Sequence, residues 1–365
     1  MADQPAPALK EIFNAERLQH IANEMTAVYP AFNAKAFLKM ANEGLGQLSI
    51  MQRMARVSEC LHAVLPLSYE ETLEVLYALA PRLNSGFVSI ALPHYVAMYG
   101  GHAFEQSMDA LKYFTAFGSS EFAIRHFLRS DIKPTLALMH DWSLDANEHV
   151  RRLASEGSRP RLPWSFRLEQ IQTDPTLAAA ILDNLKADDS LYVRKSVANH
   201  LNDITKDYPE WVLDLIEGWS LENKHTAWIA RHALRSLIKQ GNPRALAIIG
   251  AGGKPEVEII GTKVEPPVIR LGEKISLSFT VKSTVPDSQR LVIDYAIDYV
   301  KANGSTSAKV FKLKALALPG KASESIARGQ HIKELTTRRH YAGRHAVHIL
   351  VNGERLASTA FEILP

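Results

Sequence analysis

Residues 149–155 read HVRRLAS, residues 192–198 YVRKSVA and residues 228–234 WIARHAL. Each follows a polar turn (DANE, DDSL and ENKHT) and sets an aliphatic anchor one or two positions ahead of a cation. The anchors Val150, Val193 and Ile229 lie 43 and 36 residues apart. That period belongs to two-helix solenoid repeats of the HEAT kind. The first interval is lengthened by SRPRLPW at 158–164, and FAIRHFL at 122–128 reads as an earlier, diverged copy.

Outward from these stretches, residues 9–250 continue as helix after helix. LKEIFNAERLQHIANEM and YEETLEVLYALAPRL repeat apolar residues at spacings of three and four, which places them on one helical face. After IIGAGGKPE the period changes. KISLSFTV (274–281) and LVIDYAIDYV (291–300) alternate apolar and polar, KVFKLKALAL and HAVHILVNGERL follow suit, and Asn352-Gly353 is a hairpin turn pair. Strands of this length and number predict an immunoglobulin-like sandwich without its cysteine pair. The chain is therefore expected to be multidomain. Residues 1–250 form an α-solenoid of HEAT-like repeats, 251–256 a linker and 257–365 an all-β sandwich.

With 365 residues, 46% of them hydrophobic, the chain supports two cores. No run of apolar residues is long enough to span a bilayer. The opening MADQPAPALKEIF lacks a basic region leading into an apolar stretch, so no secretory signal is expected. Cys60 stands alone, which excludes an internal disulfide and any multi-cysteine metal site. These features predict a cytoplasmic protein. The net charge of +3 is uneven, with 16 basic residues against 11 acidic ones in 255–365. Local clusters matter more than the total where the partner is a polyanion.

The densest cluster is VRRLASEGSRPRLPWSFR at 150–167, five arginines against Glu156. Arg151 and Arg152 fall off the stripe Val150, Leu153 and Ala154, and Gly157 is placed as a helix C-cap. Arg159, Arg161 and Trp164 then lie on a loop stiffened by Pro160 and Pro163. Guanidinium forks held in such a loop suit phosphate oxygens. Composition alone favours the plainer reading, a solvated helix face with a Glu148–Arg152 pair. In the next repeat Lys195, Asn199 and Asp203 share one face, with Arg194 beside them. Trp228, Arg231 and Arg235 share another, with Trp228 read as core. Successive repeats would align these rows into one basic strip. Asp203 in that strip is either a helix-end residue or a carboxylate with a catalytic task. Glu121, after Ser119-Ser120, reads from pattern alone as a residue of a helix's first turn. In the β region, Arg338 and Arg339 of TTRRHYAGRH form a cationic loop, whereas Lys309, Lys312 and Lys314 fit a solvated sheet face.

The blocks SSEFAIRHFL, VRRLASEGSRPRLPW, YVRKSVANHLNDITKDYP and HALRSLIKQG, with LKEIFNAERL, VYPAF and MANEGLGQLSIMQRM before them, resemble the AlkC branch of the AlkC/AlkD alkylpurine DNA glycosylases. The resemblance covers roughly residues 9–250. It implies hydrolysis of the N-glycosidic bond to cationic methylated bases of the 3-methyladenine type in duplex DNA, without a deep base-flipping pocket. It assigns catalytic roles to Glu121, Asp203 and Trp164. The cations Arg152, Arg159, Arg161, Arg194, Lys195, Arg231, Arg235, Arg338 and Arg339, read from their charge pattern, are then expected as DNA contacts. The resemblance further implies a monomer that needs no metal or organic cofactor, no membrane and no obligate protein partner, found at the nucleoid when bound to DNA. Two alternatives stand beside it. One is a non-enzymatic HEAT scaffold for protein partners or DNA, and the other a catalytically inert DNA-binding relative.

Overall fold

The computed structural model describes residues 8–334 and 339–365. Arg338, expected among the DNA contacts, lies outside the described residues. Two compact units are formed. The first takes the residues to Asp207 together with Asn223–Ile229, and the second takes Tyr208–Glu222 with Ala230–Pro365. The β-sandwich thus shares its unit with the last helices of the chain.

The helices that follow the three polar turns each start on a side-chain cap. Asn147 Oδ1 accepts the His149 N–H at 2.9 Å and starts helix Glu148–Gly157. Ser190 Oγ accepts the Tyr192 N–H at 3.2 Å and starts Leu191–Ile204. Asn223 Oδ1 accepts the His225 N–H at 2.8 Å ahead of Lys224–Ala233. In the first two repeats an arginine then reaches back over the turn. Arg151 Nη1 donates to the carbonyl oxygens of Asp145 and Ala146, both at 2.9 Å. Arg194 Nη1 donates to those of Asp188 and Asp189, both at 2.8 Å. The side chain of Asp188 also takes Arg151 Nε at 2.7 Å, so one turn fastens two repeats. Counted from the caps, the third helix is out of step with the expected anchors. Thr226 stands where Val150 and Val193 stand, and Ile229 where Leu153 stands. Ala227 replaces the reaching arginine.

Helices Glu148–Gly157 and Leu191–Ile204 pack directly on each other. Gly157 is the last residue of the helix and not the expected C-cap, which is Ser158; a side chain is excluded there by packing, since a Cβ would meet Ile124 Cγ2 at 2.4 Å.

Among the described residues the sandwich has eight strands: β1 (Val257–Glu265), β2 (Val268–Ile269), β3 (Lys274–Ser283), β4 (Gln289–Val300), β5 (Thr306–Leu318), β6 (Ser323–His331), β7 (Gly343–Val351) and β8 (Glu354–Ile363). One sheet runs β1-β3-β6 and the other β2-β8-β7-β4-β5, with β2 parallel to β8 and the remaining pairs antiparallel. Phe279, Val281, Ile293, Tyr295, Val347, Ile349 and Phe361 fill the core between them. Asn352 and Gly353 both adopt positive φ (48° and 82°) in the β7–β8 hairpin, as a tight turn between right-twisted strands requires. Strand β4 breaks the alternation, since Val292, Asp294 and Ala296 on its outer face are also buried. Helices Arg235–Lys239 and Pro243–Ile248 belong to this unit. A Cβ on Gly353 would strike the Gly241 Cα at 2.3 Å, so the hairpin and the helix end meet backbone to backbone.

Candidate functional site

Glu121 lies in the turn before helix Ile124–Ser130. Ser119 Oγ donates to its Oε2 at 2.7 Å, while the Glu121 N–H returns to Ser119 Oγ at 3.3 Å. Glu121 thus sits ahead of the helix and not in its first turn as expected. The carboxylate does more, because Arg152 Nη1 donates to the same oxygen at 2.7 Å. Glu148 is not the partner of Arg152; its carboxylate accepts the Ser190 hydroxyl instead.

From Arg152 the charges alternate inward. Arg152 Nη2 stands 3.7 Å from Glu156 Oε1. Glu156 accepts Arg159 Nη1 at 2.6 Å, and Arg159 Nη2 reaches Asp203 Oδ2 at 2.8 Å. Lys206 Nζ closes the series on Asp203 Oδ1 at 3.2 Å. Three acids and three cations thus form one chain, Glu121–Arg152–Glu156–Arg159–Asp203–Lys206. The side chains of Glu156, Arg159 and Asp203 are 8, 9 and 7% exposed. Burial opposes the charge on Arg152 and Arg159, but the carboxylates beside them outweigh it and hold both guanidinium pKa values above the usual range.

Two of the arginines expected at phosphates are engaged by carboxylates in this geometry. Arg159 is 8% exposed, and Nε, Nη1 and Nη2 all face carboxylates. Arg152 is committed to Glu121 and lies over the Tyr192 ring at 4.4 Å. Arg194 closes its own turn and sits 5.7 Å from the Trp228 ring centroid. Arg161 pairs with Asp207 through both oxygens at 2.8 Å but keeps an accessible side chain. Lys195 and Arg339 are exposed. Arg231 and Arg235 fall eight and twelve residues after the Asn223 cap, not at the offset of Arg152 and Lys195, and they line a cavity of the second unit.

The loop that carries Trp164 is held from beneath by Arg125. This fully buried guanidinium donates to the carbonyl oxygens of Gly157 (3.0 Å), Arg159 (2.5 Å) and Phe166. Burial and the charge of Arg159 lower its pKa to about 10. Sequence reading missed Arg125, although a lone cation inside the apolar run FAIRHFL was the available signal. Glu156 was missed for the opposite reason, being one acid among many arginines.

Trp164 itself has φ of 64° and is 60% exposed, with its ring edge-on to Phe87 at 6.2 Å. A large aromatic in the left-handed region stores backbone strain and exposes apolar surface. The site therefore joins two positioned carboxylates to a strained, outward-facing indole on an arginine-anchored loop.

Residues 105–237 match the family described as a DNA alkylation repair enzyme, and residues 258–365 the family described as the C-terminal Ig-like domain of uncharacterised protein YhaZ. YhaZ of Bacillus subtilis (strain 168) is 40% identical over 356 residues, covering 97% of this chain and 99% of its own length. A solved structure of the Pseudomonas fluorescens alkylpurine DNA glycosylase AlkC, bound to DNA containing an abasic site analogue, is 72% identical with a TM-score of 0.96. It covers 98% of this chain and 100% of its own. Among the described residues no helix is long and apolar enough to cross a membrane.

Proposed function

Because the chain belongs to the AlkC family of alkylpurine DNA glycosylases, we propose that Glu121, Asp203 and Trp164 excise cationic alkylated bases from duplex DNA. The chain is a DNA glycosylase of alkylation repair, and DNA is its partner. The observation that carries the residue assignment is the alternating charge chain, which fixes both carboxylates beside a loop presenting Trp164 to solvent.

An alkylated purine such as 3-methyladenine already carries positive charge. When its C1′–N bond breaks, the bonding electrons go to the base and neutralise it, so no general acid is needed. The sugar left behind is oxocarbenium-like. A carboxylate placed at its face stabilises that charge and orients the water that adds to C1′ and then loses a proton. The indole of Trp164 adds the attraction of an aromatic face for developing positive charge. Arg152 and Arg159 act as positioning residues for the carboxylates, while Arg161, Lys195 and Arg339 remain as contacts for phosphate oxygens.

The test is base release from methylated duplex DNA by Asp203→Asn and Glu121→Gln. Each variant is expected to lose about a hundredfold to a thousandfold in rate and to keep its DNA affinity. Unaltered release by both variants removes the carboxylates from the mechanism.

A further inference from the structure

The second unit holds a cavity of about 320 Å³, and no residue of the charge chain just described lines it. Arg231, Arg235 and Lys239 line its helical side, and Arg290, Asp294 and Lys312 its sheet side. Five cations therefore surround one acid. The rest of the wall is aliphatic, from Ile238, Val292 and Leu316. The volume falls in the range of small-ligand sites.

Asp294 is the unusual member. In the β4–β5 ladder Ile293 pairs with Lys314 and Asp294 with Lys312, so Leu313 is skipped in a bulge. The freed Leu313 N–H bonds to the Asp294 carboxylate. The residue is only 5% exposed, and its Oδ1 is buried with no hydrogen-bond partner. Burial raises its pKa, while the Leu313 N–H, Lys239 and Lys312 oppose the rise. A buried carboxylate oxygen without a donor is costly, and five cations against one acid leave the cavity wall with a net positive charge that favours an anion. One ligand that satisfies both has an anionic group, a separate O–H or N–H donor and an apolar face.

We infer that this cavity binds a nucleoside phosphate, with phosphate on the Arg and Lys side chains, a ribose hydroxyl on Asp294 Oδ1 and the base against Ile238, Val292 and Leu316. Guanidinium forks match phosphate oxygens, and a carboxylate is the usual acceptor for ribose hydroxyls in nucleotide sites. The inference does not depend on the glycosylase assignment, because none of Glu121, Trp164 and Asp203 contributes to this cavity.

Calorimetric titration of the full chain with ADP tests it, with inorganic phosphate, adenosine and a short 5′-phosphorylated duplex as separate titrants. ADP is expected to bind saturably with one site, at least roughly tenfold tighter than phosphate or adenosine alone. Ala315→Trp fills the cavity and Lys312→Glu reverses a lining charge. Both residues are exposed, so the fold tolerates both changes. Each variant should weaken ADP by roughly tenfold or more and leave the melting temperature and base release unchanged. Absence of saturable ADP binding at millimolar concentration overturns the inference. So does ADP binding that Ala315→Trp leaves intact, or phosphate that binds as tightly as ADP. A duplex that alone responds to the two variants reassigns the cations to DNA and overturns it too.

Discussion

Arg159→Met separates a charge chain that organises the site from one that only decorates it. Arg159 holds Glu156 at 2.6 Å and Asp203 at 2.8 Å, and both acids are almost fully buried. Methionine fills a similar volume, so the packing loss is small. The main effect is to orphan two buried carboxylates. Removing one partner of a buried ion pair costs about 3–5 kcal/mol. Arg152 remains 3.7 Å from Glu156 and Lys206 3.2 Å from Asp203, so the lower end, about 3 kcal/mol, applies. In a unit of roughly 200 residues each kcal/mol moves the melting temperature by about 2–4 °C, giving a drop of about 6–12 °C. Adding Glu156→Gln and Asp203→Asn to Arg159→Met removes the orphaned charges and should recover about half of that drop or more. Thermal unfolding followed by circular dichroism reads both. A single variant melting within about 2 °C of the parent, or a triple variant melting below the single one, refutes the reasoning.

Three further outcomes follow from geometry on other parts of the chain. Trp164→Gly relieves a left-handed backbone that costs a non-glycine residue about 1 kcal/mol. It should melt at or above Trp164→Ala, while both lose base release; the reverse order of melting contradicts the strain. Arg161→Ala breaks only an accessible pair with Asp207 and should cost at most about 1 kcal/mol. It should also lower the salt dependence of DNA binding by about one unit of slope, and an unchanged slope removes Arg161 from the phosphate contacts. Burial depresses the pKa of His200 from 6.5 to about 3 and that of His94 to about 4. Between these values and 6.5 the unfolded chain binds protons that the folded one refuses, so stability present above pH 6.5 is lost as pH falls toward 4. His200→Gln and His94→Gln should flatten the decline in melting temperature, and variants as steep as the parent show that other groups govern it.

The helical repeats and their caps were legible because both are written within a few residues of each other. Asn147 and Ser190 each precede their helix by a fixed offset, and the pattern needs no knowledge of the partner helix. The order of charges was not legible in that way. Arg152 has acids at Glu148 and Glu156 one turn to either side, yet its shortest bond goes to Glu121, 31 residues earlier. Only the packing of helices decides between such partners. Arg231 and Arg235 were expected on one helical face, but the helix of Arg231 ends at Ala233 and Arg235 starts another. Placing them with Lys195 also required the third repeat to keep step, and its cap shows that it does not. In β4 a clue was present and unused. Val292 and Ala296 are apolar on the face that strict alternation reserves for polar residues, and that face is covered within the unit.

The two reaching arginines also bear on how such a chain acquires new loops. Arg151 and Arg194 fasten to carbonyl groups five and six residues behind them, so each ties down only its own turn. The strut from Arg151 to Asp188 joins neighbouring repeats at the opposite end from where Glu148–Gly157 runs out. Chain length added after Gly157 therefore leaves both fastenings where they were. Residues 158–167, with Trp164 among them, follow that point, but Arg125 holds the carbonyl groups of Arg159 and Phe166 and Arg159 holds Asp203. Length can therefore change only between these anchors, around Trp164, while the stacking of the helices is kept.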